Sequence, residues 1–236
     1  MTQYRLTDEQ KQLRDAARRF ARSYLAPKAA ETEKAGTDFP KESLKEMAKH
    51  GFLGLDVPAE YGGQGLDTLS CGVILEELAS AWFSSTIFAM NLATGPILAV
   101  GSPAQKKKYL GGICSGDMVP AFALTEPAGG SDAANITTRV VREGDQYVLR
   151  GQKIFISNAH RADVIVVFAR SEPGAPRGKG ISIVLVEKGT PGLKIGQRFE
   201  TIAHTANPIW EVVFDDCRVP KENLIGAEGS GFSYIQ

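Results

Sequence analysis

The hydrophobic period of the chain changes near residue 118, and this change constrains the fold more than any other feature of the sequence. Upstream, apolar residues recur at helical spacing, as in residues 7–25, where charged residues occupy the opposite face. Downstream, segments rich in Val, Ile, Phe and Tyr are separated by Gly, Asp and Pro clusters, and Gly144-Asp145 predicts a hairpin turn. The predicted strands are 119–125, 137–142, 146–157, 163–170, 180–187 and 211–215.

Two further signals define the helical half. Residues 84–101 are largely apolar and too long for one strand, so we expect a buried helix that is interrupted near Gly95-Pro96. Ser102-Pro103-Ala104-Gln105 combines an N-cap, a proline at the first helical position and a capping-box glutamine. The predicted fold class is α+β, with an N-terminal helical domain followed by an antiparallel β-barrel-like domain.

Composition excludes several classes of protein. Lys and Arg number 27, as do Asp and Glu, so a general surface for nucleic acid is not indicated. Three widely spaced cysteines and the absence of a signal-peptide pattern favour a reducing, cytoplasmic location. No apolar run has the length of a membrane span, so membrane insertion is not expected. The three histidines share no ligand spacing, so no metal site is predicted.

Residues 122–132 run from an apolar strand into a loop of small residues with hydroxyl groups at both ends. Gly129 and Gly130 allow a ligand to approach the backbone, and Thr125 and Ser131 supply short hydrogen-bond donors. This pattern suits a planar, polar, partly anionic ligand that lies along the strand. A tight loop between two strands is an equally good interpretation of the composition.

A second strand segment places Phe155 two residues before Ser157. Alternate residues of a strand share a face, so the ring and the hydroxyl are predicted to meet one ligand together. The alternative is that Phe155 is a core residue.

Five motifs, in matching order, resemble those of the flavin-dependent acyl-CoA dehydrogenase family over nearly the whole chain. The strongest are LTEPAGGSD at 124–132 and GQKIFISNA at 151–159. The others are VPAEYGG at 57–63, QKKKYL at 105–110 and FDDCRVP at 214–220.

The resemblance implies three domains. An N-terminal helical domain would span residues 1–118 and a middle β domain, with the flavin face, residues 119–226. Residues 227–236 would begin a C-terminal helical domain that is absent from this sequence, through truncation or because a partner chain supplies it. The sequence from Ser233 to Gln236 is typical of the opening of a helix.

The resemblance also implies an FAD cofactor. Thr125 would hydrogen-bond the pyrimidine side of the isoalloxazine ring, and Ser157 would lie near N5, the atom that accepts hydride. Ser131 would also contact the CoA part of an acyl-CoA substrate. The implied cofactor-binding residues are Phe122, Ala123, Leu124, Thr125, Gly130, Ser131, Phe155, Ile156 and Ser157.

The implied reaction is α,β-dehydrogenation of the acyl-CoA thioester, in which a carboxylate removes the α proton. That carboxylate would lie beyond Gln236, so the catalytic residue is unknown. Glu126 does not occupy the family position of the base, and Asp132 is interpreted as a loop-capping carboxylate. Phe88 and Leu92 would contact the far end of the acyl chain, and Phe88 would favour short or branched acyl groups. Alternatively, Phe88 is an ordinary core residue.

The implied partners are an electron-transfer flavoprotein-type acceptor and, when the protein is complete, further copies of itself in a homo-oligomer. Two alternatives to a dehydrogenase stay open. One is a non-catalytic or split-enzyme subunit that needs a partner chain, and the other is a related flavin oxidase or monooxygenase. Residues 201–210 depart from the family pattern, as does Phe155, where the family commonly has Trp.

Overall fold

The computed structural model describes residues 5–234, and helices precede strands along the chain. The helices are α1 (Asp8–Phe20), α2 (Ala26–Ala35), α3 (Lys41–Lys49), α4 (Thr68–Trp82), α5 (Thr86–Ala89), α6 (Thr94–Val100) and α7 (Pro103–Cys114). The strands are β1 (Pro120–Ala123), β2 (Arg139–Glu143), β3 (Gln146–Ser157), β4 (Val164–Arg170), β5 (Ile181–Glu187), β6 (Leu193–Phe199), β7 (Ile209–Pro220) and β8 (Leu224–Ile225). The predicted α+β class is confirmed.

The chain forms two compact units. The first runs to Asn91 and also contains Leu110–Asp117 and Ile202–Asn207. The second contains Leu92–Tyr109, Met118–Thr201 and the chain from Pro208 onwards. Helix α7 ends at Cys114 and strand β1 begins at Pro120. The second unit contains the strands together with the helical stretch Leu92–Tyr109.

In the first unit, helical conformation continues beyond the pattern predicted for residues 7–25. A π-helical turn, Ala21–Leu25, joins α1 to α2, which ends where Gly36 adopts a left-handed conformation. Pro27 lies in the first turn of α2, directly after this π-helical turn, and the helical conformation continues through it. Thr7 and Gln10 form a capping box at the start of α1.

The prediction of a buried helix over residues 84–101 that is interrupted near Gly95-Pro96 is wrong in the position of the break. The chain instead forms α5 and α6, and it leaves the helical conformation at Met90, with φ −135° and ψ 92°. The predicted break at Gly95-Pro96 lies inside the first turn of α6, which accepts proline. The predicted capping box at Ser102 is confirmed, because Ser102 Oγ accepts from Gln105 N at 3.2 Å and Gln105 Oε1 accepts from Ser102 N at 2.8 Å.

The strands form one mostly antiparallel sheet in the order β6-β7-β3-β2-β4-β5-β8, with β1 paired in parallel to β4. The predicted hairpin is confirmed, since Glu143 pairs with Gln146 across Gly144-Asp145. The strand prediction missed β6 and β8 and made β7 too short. β6 was missed because Gly196, Gln197 and Arg198 interrupt its apolar residues, and all of its residues are at least partly exposed.

The buried faces of β1, β3, β4, β5 and β7 form the core of the second unit, with Val140 of β2. All three cysteines are buried and free, as the absence of a disulfide framework predicts. In the part of the chain that the structure describes, no single helix is long and apolar enough to cross a membrane, although the bent pair Thr68–Ala89 and Thr94–Val100 meets the length and composition test.

Candidate functional site

The two strongest sequence motifs lie side by side in the second unit. The loop that follows β1 is joined to β3 by a hydrogen bond from Ile154 N to Thr125 O, 2.9 Å long. Within the loop, Glu126 and Gly129 exchange backbone hydrogen bonds and form a tight turn. The hydroxyl-bearing loop and the Phe155–Ser157 segment are therefore neighbours, as a shared ligand requires.

A buried ion pair between Lys153 and Glu126 connects the loop to β3. Lys153 Nζ lies 2.8 Å from Glu126 Oε1 and donates to Leu124 O at 2.9 Å. Glu126 also accepts hydrogen bonds from the backbone N–H groups of Thr137 and Thr138, at 2.6 and 2.8 Å. The Lys153 and Glu126 side chains are 0% and 3% exposed, so the pair ties β3, the loop and the start of β2 together within the protein.

The environment shifts the pKa values of both groups. Burial alone would raise the pKa of Glu126, but the charge of Lys153 and hydrogen bonds from Lys153 and Thr137 outweigh it and lower this pKa to about 2. Burial lowers the pKa of Lys153 to about 8, against the attraction of Glu126. Both groups are charged at neutral pH, so the pair is an ionic connection between the loop and β3.

A β-bulge shapes the end of β3. The pairing with β7 shifts between Lys153 and Ile156, and Phe155 takes a left-handed conformation with φ 58°. The Phe155 side chain is 51% exposed and its ring contacts Phe199, with ring centroids 4.8 Å apart. The bulge interrupts strict strand alternation, so the shared face predicted for Phe155 and Ser157 does not follow from spacing alone.

The three predicted hydroxyl groups are available for a ligand. Among residues 5–234, no hydrogen-bond partner is found for the side chains of Thr125, Ser131 and Ser157, although all three are at least partly exposed. Many serine and threonine hydroxyls elsewhere are bonded, such as those of Ser85, Thr86 and Thr138. Accessible, unpaired donors on two adjoining segments, one of which carries an exposed aromatic ring, suit a ligand with a polar edge and a flat face.

The other predicted cofactor-binding residues differ in which of their atoms are accessible to a ligand. Ala123 and Ile156 have side chains in the core, so only their backbone can meet a ligand. Phe122 and Leu124 are half-buried, and the Phe122 ring packs against Phe168. A Cβ at Gly130 would lie 3.2 Å from Thr125 Cγ2, so this glycine leaves room beside the Thr125 side chain.

Both carboxylates of the loop are occupied by cations. Glu126 is held by Lys153, and Asp132 accepts from Arg177 Nη2 at 2.5 Å and from Asn135 Nδ2 at 2.7 Å. Asp132 is the N-cap of the short 3-10 turn Ala133–Asn135, but its carboxylate makes no capping hydrogen bond to that turn and accepts from the Asn135 side chain instead. Neither carboxylate is free to act as a base.

The residues predicted to contact the acyl chain have contrasting environments. Phe88 is buried in the first unit, with its ring centroid 4.8 Å from that of Phe39. Leu92, in the second unit, is 73% exposed. The packing of Phe88 against Phe39 matches the alternative interpretation that it is a core residue.

Sequence reasoning missed the Glu126–Lys153 pair and a nearby cavity lined by arginines. A lysine inside the otherwise apolar end of a strand was the available signal for the pair. No sequence signal brought Arg139 together with Arg170 and Arg177, because Arg139 is distant from both in the chain. No cluster of three or more potential ligands among His, Cys, Asp and Glu occurs in the described residues.

Two family models match the chain. The acyl-CoA dehydrogenase N-terminal domain matches residues 7–117, and the acyl-CoA dehydrogenase middle domain matches residues 121–217. Mitochondrial isobutyryl-CoA dehydrogenase of Dictyostelium discoideum is 42% identical over 231 residues, which cover 97% of this chain and 55% of that protein.

Solved structures show the same relationship. Butyryl-CoA dehydrogenase from Megasphaera elsdenii superposes with a TM-score of 0.89 at 34% identity, over 99% of this chain and 62% of that one. Glutaryl-CoA dehydrogenase from Mycobacterium smegmatis, in complex with FADH2, gives a TM-score of 0.87 at 29% identity, over 96% and 58%. The chain thus spans 55–62% of the length of these three relatives.

Proposed function

Because the chain belongs to the acyl-CoA dehydrogenase family, of which it contains the N-terminal and middle domains, we propose that it binds FAD and serves the α,β-dehydrogenation of an acyl-CoA thioester. The observation that carries this proposal is a hydrogen bond from Ile154 N to Thr125 O, which joins two segments with unpaired hydroxyls. One is the loop of Thr125 and Ser131, and the other is the end of β3, with Ser157 and the exposed ring of Phe155. FAD, when bound, supplies the acceptor for the hydride that leaves the β carbon.

Each residue of the site has a defined task in this proposal. Thr125 donates to the pyrimidine side of the flavin ring, where reduction places negative charge. Ser157 hydrogen-bonds near N5, and Phe155 packs against the ring. Ser131 contacts the CoA portion of the substrate. The ion pair of Glu126 and Lys153 holds the loop and the bulge in register.

The base that removes the α proton is proposed to come from outside this sequence. Glu126 and Asp132, the carboxylates of the loop, are each held in an ion pair. This same observation favours the second candidate function, a subunit that binds the cofactor and the thioester but needs a partner chain for the proton transfer.

The test is a visible absorption spectrum of the purified chain, taken after FAD is added and the excess is removed by gel filtration. We expect retained flavin bands, and weaker retention in Thr125→Val and Ser157→Ala. The matched control is Thr37→Val, which alters an exposed threonine of the first unit. If no flavin is retained, or if Thr37→Val loses as much as Thr125→Val, the proposed cofactor site is wrong.

Anaerobic addition of acyl-CoA to the flavin-loaded chain separates the two candidate functions. Bleaching of the flavin bands means that the chain, or a copurifying partner, supplies the base. Retained colour without bleaching favours the cofactor-binding subunit. Oxygen consumption during turnover distinguishes a related oxidase or monooxygenase from a dehydrogenase.

Substrate choice rests on Phe88 and Leu92 in this proposal, with Phe88 favouring short or branched acyl groups. In an enzyme preparation that turns over acyl-CoA, Phe88→Ala is expected to shift the activity profile towards longer chains. Phe83→Ala, at an exposed phenylalanine, is the control. An unchanged profile in a folded Phe88→Ala protein would contradict this assignment.

The remaining proposals concern the electron acceptor, the oligomeric state and the cellular location. We propose an electron-transfer flavoprotein-type acceptor and a homo-oligomeric assembly, both by analogy with the family. A cytoplasmic location is supported by three free, buried thiols, which suit a reducing compartment.

A further inference from the structure

A cavity of about 260 Å³ in the second unit has no assigned role in the proposed function. Its walls contain three guanidinium groups and no carboxylate. We call it the arginine pocket, and it is lined by Asn135, Ile136, Thr137, Arg139, Arg170, Pro173, Ala175 and Arg177. Its volume is below that of pockets for drug-sized ligands, so it suits one small charged group.

The three arginines are held in different ways. Arg170 is fixed by backbone carbonyls alone, donating to Ala134 O at 2.8 Å, Ile136 O at 3.0 Å and Lys179 O at 3.1 Å. Arg177 pairs with Asp132 through Nε and Nη2. Within residues 5–234, no hydrogen-bond or ion-pair partner is found for the guanidinium of Arg139.

The result is an excess of positive charge. Asp132 neutralises Arg177, whereas the charges of Arg139 and Arg170 are not paired with a carboxylate. Arg139 and Arg170 are also register partners on β2 and β4. Like charges on neighbouring strands destabilise a sheet, so a bound anion would remove an existing repulsion.

Glu126, another carboxylate that contacts a wall residue, is already neutralised. Glu126 accepts from the backbone N–H and the hydroxyl of Thr137, but the same carboxylate is paired with Lys153. The Asn135 side-chain amide points a donor at Asp132. The pocket therefore offers an anion guanidinium donors without a competing free carboxylate in its lining.

A hydrogen bond joins the pocket wall to the loop assigned to the substrate. Ser131, the proposed contact for CoA, is followed directly by Asp132, which binds Arg177 of the pocket wall. Among the groups of a CoA thioester, phosphates are the anions that arginine recognises best, because the guanidinium matches their geometry.

We propose that the arginine pocket binds the 3′-phosphate of a CoA thioester. This inference rests on the proposed function, and it identifies the carrier of the acyl group as a nucleotide. A thioester on a carrier protein lacks this phosphate and would gain nothing from Arg139 and Arg170.

The test compares CoA with dephospho-CoA, which differs only by the 3′-phosphate, in isothermal titration calorimetry of the chain. Charge-assisted hydrogen bonds lead us to expect at least about tenfold tighter binding of CoA, with the difference shrinking as salt increases. Arg139→Gln should abolish most of this difference without breaking any internal contact. Arg142→Gln, which removes the same charge from an exposed position on the same strand, should preserve it.

Equal affinities for CoA and dephospho-CoA would overturn the proposal, as would equal losses in Arg139→Gln and Arg142→Gln. Inorganic phosphate that bound as tightly as CoA would overturn the assignment to a nucleotide. Binding of adenosine 3′,5′-bisphosphate, which carries the 3′-phosphate but no acyl group, tests the pocket separately from the proposed function. Binding of that nucleotide dependent on Arg139, in a chain that retains no FAD, would support the pocket and contradict the flavin proposal.

Discussion

At the scale of single residues, the most consequential contact is one between two buried charges. Lys153 and Glu126 cannot be hydrated, so each depends on the other and on the backbone groups around Leu124, Thr137 and Thr138. The same contact sets the position of the loop whose hydroxyls are proposed to meet the flavin. Stability and the proposed cofactor binding therefore share one pair of side chains.

The first prediction concerns Lys153→Met. Removing one partner leaves a buried charge uncompensated, so the free energy of unfolding should fall by about 3–5 kcal/mol. Urea denaturation measures this loss. The control is Lys194→Met, whose exposed ion pair with Asp215 should contribute less than about 1 kcal/mol.

A double variant separates the effect of the unpaired charge from the effect of changed side-chain packing. Glu126→Gln combined with Lys153→Met removes both charges, so it should be more stable than Lys153→Met alone. If the double variant is less stable than Lys153→Met, the loss comes from the changed shape of the lysine side chain and the ionic argument fails.

The second prediction is a dependence of stability on pH. The pKa of Glu126 is lowered from 4.5 to about 2 in the folded protein, so the unfolded chain binds more protons between these values. The stabilisation is complete above pH 4.5 and is lost as the pH falls towards 2. The free energy of unfolding should therefore drop more steeply over this interval in the native chain than in Glu126→Gln, and identical slopes would contradict the low pKa.

At the scale of secondary-structure elements, irregularities in β3 position the site. Besides the bulge at Phe155, the pairing with β7 shifts between Leu149 and Gly151, where Gly151 has φ 143°. A Cβ at Gly151 would lie 2.7 Å from Thr138 Cα, and Thr138 donates its backbone N–H to Glu126. The bend in β3 thus allows the close approach of β2 that completes the buried network.

The third prediction follows from this close approach. Gly151→Ala must adopt a conformation that alanine disfavours and must displace Thr138, so the loss should be about 1–3 kcal/mol in unfolding experiments. Gly174→Ala is the control, because a Cβ there meets open space, and its effect should stay within about 0.5 kcal/mol. A Gly151→Ala protein as stable as the control would show that β2 and β3 adjust without strain.

The elements also show where local patterns succeed and fail. The capping box at Ser102 and the Gly144 turn were predictable, because a few adjacent residues determine them. The end of α5 at Met90 and the existence of β6 were not. Neither has a Gly or Pro stop or an apolar run of its own, and both depend on what the rest of the fold places beside them.

At the scale of the whole molecule, the chain is divided between two units, and all residues proposed to hold FAD lie in the second. The first unit has its own core, which includes Phe39, Met47 and Leu78. Residues Ile202–Asn207, within the segment that departs from the family pattern, belong to this first unit. There Asn207 Nδ2 donates to Ser84 O and Phe39 N donates to Ala206 O.

The fourth prediction uses this division. A ligand that binds only the folded site suppresses local opening there, so FAD should slow amide hydrogen exchange in residues 124–131 and 154–157. Exchange in α1 and α3, which belong to the first unit, should change far less. Hydrogen-exchange mass spectrometry with and without FAD measures both, and equal protection of the helices would contradict a site confined to the second unit.

The sequence by itself determined the fold class, the family and the candidate hydroxyls, because these depend on periodicity and on short motifs that the chain carries intact. Only the tertiary structure decided that Glu126 pairs with Lys153, that Phe155 lies on a bulge and that Arg139, Arg170 and Arg177 share one cavity. The physical reason is that burial and charge pairing depend on neighbours distant in sequence. A carboxylate and a lysine 27 residues apart have no local pattern that predicts their meeting.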